Sequence, residues 1–226
     1  MSELFVLLKY KMVKMNKEKT WVVVSRYQAD TAWTQKLAEN GHPVFIYEHI
    51  PNSTSPYNLP GNKGNEAGAY FKFIVDYYDA LPQYIAFIHD HETSWHHKGS
   101  LVDKILEHQE RKKRPQYENL NHLCLNHAIG NDKYPKLKWF YEKFLEPYIG
   151  PSHKPDWTYG HQCCAQFIVH RNRIQKLPKK FYQDIYNWII TTKWDSKVVG
   201  HVACEWTVFL YLNNGKKDLG KCERII

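Results

Sequence analysis

The chain lacks any apolar run long enough to cross a membrane. Its apolar patch near the start, Leu4 to Leu8, is soon followed by Lys9, Lys11 and Lys14. This patch is too short for a transmembrane helix and makes a poor secretory signal. We therefore expect residues 1–19 to form a variable leader, and we expect a cytoplasmic protein with no membrane span.

Several binding and catalytic motifs are also absent. No Gly-x-Gly-x-x-Gly follows the first strand-like run, which argues against a dinucleotide-binding Rossmann domain, and no Walker A lysine motif occurs. An arginine-rich arm, a zinc finger and an aromatic RNA-binding signature are missing too, so sequence-specific nucleic-acid binding is not expected. No internal repeat or linker divides the chain, and we predict a single domain over residues 20–226.

The five cysteines cannot all pair with one another, and no Cys-x-x-Cys spacing occurs. This usage predicts reduced thiols in a cytosolic type of protein. His161 lies near the adjacent Cys163 and Cys164, but sequence neighbours seldom form a catalytic dyad and no orienting acid is evident. A cysteine hydrolase is therefore not favoured.

What the chain does contain is typical of a globular protein. Of its 226 residues, 43% are hydrophobic and 24% are charged, which is enough to bury a sizeable core. Lysine and arginine outnumber the acids by 31 to 23, so the net charge is +8. This surplus favours anionic partners such as nucleotide diphosphates, nucleic acid or acidic membranes.

Strand-like and helix-like segments alternate in the first 90 residues. β-Branched or apolar runs at Trp21–Val24, Val44–Glu48 and Tyr84–Ile88 are separated by helical patterns at 32–40 and 65–78. This alternation predicts an α/β fold with a mostly parallel central sheet and helices on both faces. Further elements are expected at 101–111 (helix), 138–144 (helix), 165–169 (strand), 181–191 (helix) and 199–212 (helix), with 112–160 otherwise irregular.

The third strand ends in a run of ligand-type side chains, His89-Asp90-His91-Glu92. Because side chains alternate along an extended segment, Asp90 and Glu92 point to one side and could hold one Mn²⁺ or Mg²⁺ ion. Zinc would instead prefer imidazoles, and His96 and His97 follow a few residues later. A solvated acidic turn after a strand, with surface histidines, is the plain alternative.

Two more segments carry candidate ligands of an anion. Ser25, Arg26 and Tyr27 follow the first strand, where α/β proteins bind ligands, so the arginine could contact a phosphate and the tyrosine could stack on a base. Lys63 and Asn65 begin a helix, whose N-terminal amides can bind an anion. An ion pair of Arg26 with Asp30 is the alternative for the first segment, and an ordinary capped helix is the alternative for the second.

Glu205 is an acid inside an apolar helical stretch, next to Trp206. Burial there would raise the pKa of this carboxyl group and suit it to accept a proton from an acceptor hydroxyl. A glutamate that merely pairs with a basic residue is the alternative.

The segments Val22–Tyr27, Gly64–Ala67 and Ala165–Val169 together resemble a family of domains of unknown function, over roughly residues 20–210. The chain is also similar to the small glycosyltransferase domains with which large DNA viruses decorate their capsid glycans. That resemblance implies the glycosyltransferase A fold, an Asp-x-Asp type of motif, a manganese ion and a nucleoside-diphosphate sugar.

Carried over to this chain, the resemblance implies that Asp90 and Glu92 hold the metal and the diphosphate. It places Ser25–Tyr27 at the nucleotide and Gln166 near the donor sugar. The motif here is Asp-x-Glu rather than Asp-x-Asp, and His91 is the alternative functional residue at this strand end.

The sequence thus predicts a metal-dependent glycosyltransferase that moves a sugar from a UDP-sugar to a glycan or glycoprotein. Glu205 would be the base in an inverting reaction, and Gln166 could lie beneath the sugar in a retaining one. A metal-dependent phosphoesterase and a non-catalytic basic module that binds polyanions are the alternatives.

Overall fold

The computed structural model of the protein describes residues 16–122, 124–129, 135–150, 157–162 and 164–212, with the backbone alone for 124–129, 157–162 and 205–212. The predicted leader, residues 1–19, lies mostly outside these ranges. Whether residues 20–226 form one domain stays a prediction.

The core of the structure is a five-stranded sheet. Its strands are β1 (Trp21–Arg26), β2 (Val44–Glu48), β3 (Tyr84–His89), β4 (Tyr117–Asn119) and β7 (Phe167–His170). They lie in the order β2-β1-β3-β7-β4. β1 runs parallel to both β2 and β3, whereas β7 is antiparallel to both β3 and β4.

The α/β class predicted from the sequence is confirmed. The sheet is mixed rather than mostly parallel, because the strand predicted at 165–169 enters beside β3 in the opposite direction. A second, two-stranded antiparallel sheet pairs β5 (Cys124–Ile129) with β6 (Trp157–Gln162). The prediction of irregular structure here was wrong, since β4, β5 and β6 lie in or next to 112–160.

The helices are close to the predicted ones. They are α1 (Gln35–Glu39, after a 3₁₀ turn at Ala32–Thr34), α2 (Glu66–Tyr77), α3 (Leu101–Glu110), α4 (Pro135–Phe140), α5 (Glu146–Ile149), α6 (Arg171–Ile174), α7 (Lys179–Thr191) and α8 (Ser196–Leu212). A π-helical turn, Tyr141–Leu145, joins α4 to α5. None of the helices within the described ranges combines the length and apolarity needed to cross a bilayer.

Alternation of side chains along the strands builds two apolar layers. Val23 and Phe87 face the larger layer, which α2, α7 and the start of α8 cover. Val22 and Ile88 face the smaller one, which α1 and α3 cover. The expectation of helices on both faces is therefore confirmed.

The start of α2 is held by close backbone contact with α8. A Cβ atom on Gly200 would lie 2.9 Å from the carbonyl oxygen of Gly64 and 3.0 Å from Nδ2 of Asn65. Only glycine lets the two helices approach this closely. This contact holds the start of α2, whose first residue, Glu66, lies beside His89 at the end of β3.

We predict that Gly200→Ala destabilises the protein. Alanine is the better helix former, but its methyl group has no room, and overpacking of this kind costs about 1–3 kcal/mol. Urea unfolding measures the effect. Lys197→Ala, at an exposed position of the same helix, should change the free energy of unfolding by less than about 0.5 kcal/mol. Equal stability of the two variants would contradict the close contact.

A second prediction concerns acid stability. His108 of α3 is fully buried against the edge of the Tyr84 ring. Burial, followed by the charges of Arg114 and Arg111, lowers the pKa of His108 to about 4. The unfolded chain, with a histidine pKa of about 6.5, binds more protons below that value, so stability falls as pH decreases from about 6.5 toward 4.

Replacement of His108 by leucine should shrink the loss of unfolding free energy between pH 8 and pH 5 by about 1–2 kcal/mol. Urea titrations at both pH values measure this difference. Gln183→Leu, at an exposed position of α7 that carries no titratable group, is the control and should leave the pH dependence unchanged. An unchanged pH dependence of His108→Leu would disprove the assignment.

Candidate functional site

The carboxyl ends of β1 and β3 lie side by side, with Ser25 paired to His89. Ligands of open α/β sheets bind beyond this kind of edge. Three of the residues that the sequence singles out, Ser25, Asp90 and Gln166, lie at this edge.

Asp90 fixes the loop that follows β1. One of its carboxylate oxygens, Oδ2, accepts hydrogen bonds from the backbone N–H groups of Tyr27, Gln28 and Ala29 at 3.0, 3.4 and 3.2 Å. Its carbonyl oxygen accepts from the indole of Trp33 at 3.1 Å. This is a carboxylate anchored by backbone donors, which holds the ends of β1 and β3 together.

The hydrogen bonds also set the charge of Asp90. Burial by itself would raise the pKa of this carboxyl group, but the backbone donors of Tyr27 and Ala29 and the nearby His91 outweigh it and lower the pKa below its ordinary value. Asp90 is therefore a carboxylate at neutral pH. Its other oxygen, Oδ1, lies 3.4 Å from Nε2 of His91.

Glu92 takes different partners. Its Oε1 accepts a hydrogen bond from the hydroxyl of Ser100 at 2.8 Å and lies 3.8 Å from the Lys36 ammonium group. Ser100 is the N-cap of α3, and the carbonyl of Glu92 accepts the N–H of Leu101. Glu92 thus secures the start of α3.

The two carboxylates do not form a joint metal site in this arrangement. Asp90 is directed at the loop after β1 and Glu92 at the start of α3. Across the described residues, no group of three or more histidine, cysteine, aspartate or glutamate side chains is placed to hold an ion. The predicted Mn²⁺ or Mg²⁺ site therefore does not fit these residues as they stand.

The predicted nucleotide ligands are partly engaged elsewhere. Arg26 pairs with Glu48 at 2.8 Å, which is the structural alternative that the sequence left open, although with a different acid. The Ser25 hydroxyl lies 3.1 Å from Nε2 of His49. Tyr27, by contrast, is 48% exposed, and its ring is accessible for stacking.

Lys63 and Asn65 lie at the start of α2, as predicted. The Lys63 ammonium donates to the carbonyl oxygen of Trp194 at 2.7 Å, so it connects α2 to the segment before α8. Asn65 has a φ of 47°, and its side chain lies against Gly200. Both residues shape the start of the helix, and their role in anion binding stays a prediction.

The next residue, Glu66, belongs to the site itself. Its Oε1 lies 3.9 Å from Nε2 of His89. That nitrogen and the hydroxyl of Tyr70, one turn along α2, are both buried and have no hydrogen-bond partner within the described part of the chain. Burial lowers the pKa of His89 and raises the pKa of Tyr70 well above its usual value, so both groups are neutral at pH 7.

A second group of polar side chains surrounds His96. Its Nδ1 lies 2.8 Å from Oδ1 of Asn121. Its ring centroid is 5.5 Å from that of His89 and 5.3 Å from that of His97. His96 and His97 are both buried, so the alternative that they are surface residues was wrong.

Gln166 connects these groups and is fully buried. Its Oε1 accepts the backbone N–H of His89 at 2.9 Å, and its Nε2 donates to Oδ1 of Asn121 at 3.1 Å. Both ends of the side chain are thus bound to protein groups. Gln166 acts on the site by positioning His89 and His96, and contact with a donor sugar stays a prediction from the resemblance.

Glu205 lies in the second half of α8, residues 205–212, for which the structure describes only the backbone. Its role as a base therefore stays a prediction. Cys164 is disulfide-bonded, so the prediction of reduced thiols is wrong for this residue, whereas Cys204 keeps its thiol. Disulfides are typical of oxidising compartments, and the cytoplasmic location stays a prediction.

A large aromatic side chain beside His96 is mostly exposed to solvent. Trp95 is 77% exposed, and its ring centroid is 5.3 Å from that of His96. A solvent-facing indole beside a buried polar cluster provides an apolar surface for a ligand.

Sequence reasoning missed several residues of this site. The sequence patterns assign no role in the site to Glu66, His49, Tyr70 or Asn121. A signal was present for His49, because it follows a strand that ends at the same edge as Asp90. No local pattern marks Asn121, which reaches the site through pairing of distant strands.

Comparison with known proteins identifies the family of this chain. The chain is an α/β protein with a polar site at the carboxyl edge of its parallel strands. It belongs to the family described as "Protein of unknown function (DUF3431)", which matches residues 21–217. The resemblance to a family of unknown function is thereby confirmed. No curated protein matches, and no solved structure matches.

We predict that removing the carboxylate of Asp90 lowers the stability of the protein more than removing that of Glu92. Asp90→Ala leaves three backbone N–H groups without their anionic acceptor and should lower the free energy of unfolding by about 2–3 kcal/mol. Glu92→Ala removes a partly exposed carboxylate, and Ser100 still caps α3, so the loss should stay below about 1 kcal/mol.

Urea unfolding measures both variants. Amide hydrogen exchange should also quicken at Tyr27–Ala29 in Asp90→Ala, but not in Glu92→Ala. Equal losses of stability, with unchanged exchange in the loop, would show that the anchoring role of Asp90 is wrong.

Proposed function

We propose that this protein is a glycosyltransferase that binds a nucleoside-diphosphate sugar at the edge formed by β1 and β3. It would transfer the sugar to a hydroxyl group of a glycan or glycoprotein. The observation that carries the proposal is the convergence on one edge of a fixed loop with an exposed tyrosine and a buried group of neutral histidines.

Three features support the donor side of the proposal. The loop Tyr27–Ala29 follows a parallel strand, where α/β proteins bind nucleotides. Asp90 holds its backbone in place, so the Tyr27 ring is presented for stacking on a base. The net charge of +8 favours an anionic substrate. Uridine as the base is proposed from the resemblance alone.

The buried histidines support the acceptor side. In the transfer, the acceptor oxygen forms a bond to the anomeric carbon while the bond from that carbon to the diphosphate oxygen breaks. The nucleoside diphosphate leaves with the electron pair, and the hydroxyl proton must go to a base. A neutral imidazole is a suitable base at pH 7. The exposed Trp95 beside His96 offers the apolar surface on which a pyranose ring can lie.

The proposed transfer includes no step that requires a divalent ion, because Asp90 and Glu92 hydrogen-bond to separate partners. If Mn²⁺ does bind, it would supply positive charge for the leaving diphosphate. The experiment therefore includes arms with and without the ion.

We predict that one nucleotide class stabilises the protein. Thermal unfolding is followed with UDP, GDP, CMP, UDP-sugars and GDP-sugars, each with Mn²⁺ or with EDTA. A specific ligand raises the melting temperature by mass action, and a ligand at 100 times its Kd adds about 2.7 kcal/mol of stability. Release of the matching nucleoside diphosphate in the presence of glycans then measures transfer.

Tyr27→Ala should weaken binding of the active nucleotide about tenfold or more, since stacking on a base contributes about 1–3 kcal/mol. The matched control is Tyr148→Ala, which removes another exposed tyrosine, on α5, and should leave binding unchanged. No stabilisation by any nucleotide or sugar nucleotide would refute the proposal. Phosphoester cleavage without an acceptor would then favour the hydrolase, and salt-sensitive polyanion binding would favour the non-catalytic module.

A further inference from the structure

We propose that His96 is the proton acceptor of this site, held by Asn121 and Gln166 in the tautomer that carries hydrogen on Nδ1. The lone pair on Nε2 then receives the proton of the acceptor hydroxyl. This inference rests on the proposed function, but the tautomer can be measured without any substrate.

The orientation of the Asn121 amide determines which nitrogen of His96 carries the hydrogen. Its Nδ2 donates to the backbone carbonyl oxygen of Gln166 at 3.3 Å, which leaves its Oδ1 as the atom that faces His96. The amide of Gln166 supports the same orientation, because its Nε2 donates to that Oδ1 at 3.1 Å. Gln166 is itself oriented by the N–H of His89, which requires an oxygen at Oε1.

An amide oxygen can only accept a hydrogen bond, so Nδ1 of His96 is the donor in the 2.8 Å contact. Nε2 of Gln166, which can only donate, also lies 3.4 Å from this Nδ1, but its shorter hydrogen bond, at 3.1 Å, goes to Oδ1 of Asn121. The shorter contacts therefore assign the hydrogen to Nδ1. A neutral imidazole has one donor nitrogen and one acceptor nitrogen. Nε2 is therefore the acceptor. Among the described residues, none donates a hydrogen bond to this nitrogen. Its lone pair can therefore receive a proton from a substrate.

The surroundings of His96 keep it neutral in the resting protein. Burial is the largest influence and lowers the pKa of His96, and the neighbouring His89 and His122 act in the same direction. The hydrogen bond to Asn121 and the charge of Glu66 on α2 oppose this effect without reversing it. A base that is neutral at pH 7 is ready to accept a proton.

The position of His96 fits the role. It lies in the loop after β3, and its ring centroid is 5.3 Å from that of Trp95 and 5.5 Å from that of His89. A sugar that lies on Trp95 thus brings its hydroxyl groups close to His96. After transfer, the resulting imidazolium releases its proton to solvent.

Nitrogen-15 NMR of labelled histidine tests the tautomer directly. The chain has 13 histidines, and the signals that disappear in His96→Gln identify His96. We expect a protonated Nδ1 and an unprotonated Nε2 near pH 7. Asn121→Ala should abolish this preference, whereas His97→Gln, which removes a neighbouring buried ring, should leave the tautomer of His96 unchanged.

Kinetics test the base role. General-base catalysis contributes about 10²–10⁴ to the rate, so His96→Gln should lower kcat at least about 100-fold with donor binding retained. Asn121→Asp keeps an acceptor for the Nδ1 hydrogen but adds a negative charge beside it, so the acidic limb of the pH–rate profile should move up by about one pH unit or more. This variant tests the role even if His96→Gln folds poorly.

The outcomes separate the two proposals. A hydrogen on Nε2 of His96 in the wild-type protein overturns the inference whatever the activity. So does a folded His96→Gln variant whose kcat stays within about tenfold of wild type. A correct tautomer without turnover of any sugar nucleotide overturns the proposed function and, with it, the base role.

Discussion

The carboxylate of Asp90 is the interaction on which the site depends. By accepting three backbone hydrogen bonds from Tyr27–Ala29, it fixes the loop after β1 to the end of β3. A carboxylate held by backbone donors stays ionised despite burial, because the donors stabilise the charged form. The polar edge can therefore be preorganised without a metal to bridge the two strands.

Gln166 provides a second fixed point on the other side of β3. Because β7 enters the sheet antiparallel to β3, its first residues lie near the carboxyl end of β3, and Gln166 reaches the backbone of His89. A fully parallel sheet would bring the opposite end of β7 to this edge. The mixed sheet is thus what brings the Gln166–Asn121–His96 network to the carboxyl edge of β3.

Local patterns predicted most of the elements but only part of the site. Apolar runs located β1 and β3, which are buried on both faces of the sheet, and β2, which buries one face. Helical spacing of apolar residues located α2. The same patterns placed Asp90 at the edge correctly. They could not show that Glu92 would secure α3 instead of facing Asp90, since that depends on the turn between His91 and Ser100. They also could not reveal Asn121, whose place is decided by pairing between strands that are distant in sequence.

The two residues before Gln166 have a strained backbone conformation that positions its side chain. Cys164 and Ala165 both have positive φ values, 75° and 44°, a conformation that costs non-glycine residues of order 1 kcal/mol each. Such strain persists only where other interactions offset it. The buried hydrogen bonds of Gln166, each worth about 1 kcal/mol, and the disulfide of Cys164 lie immediately beside it. If Cys164 and Ala165 relaxed to negative φ values, Gln166 would move away from His89 and Asn121. The hydrogen bonds of Gln166 therefore depend on the strained backbone conformation, and that conformation is stabilised by these hydrogen bonds.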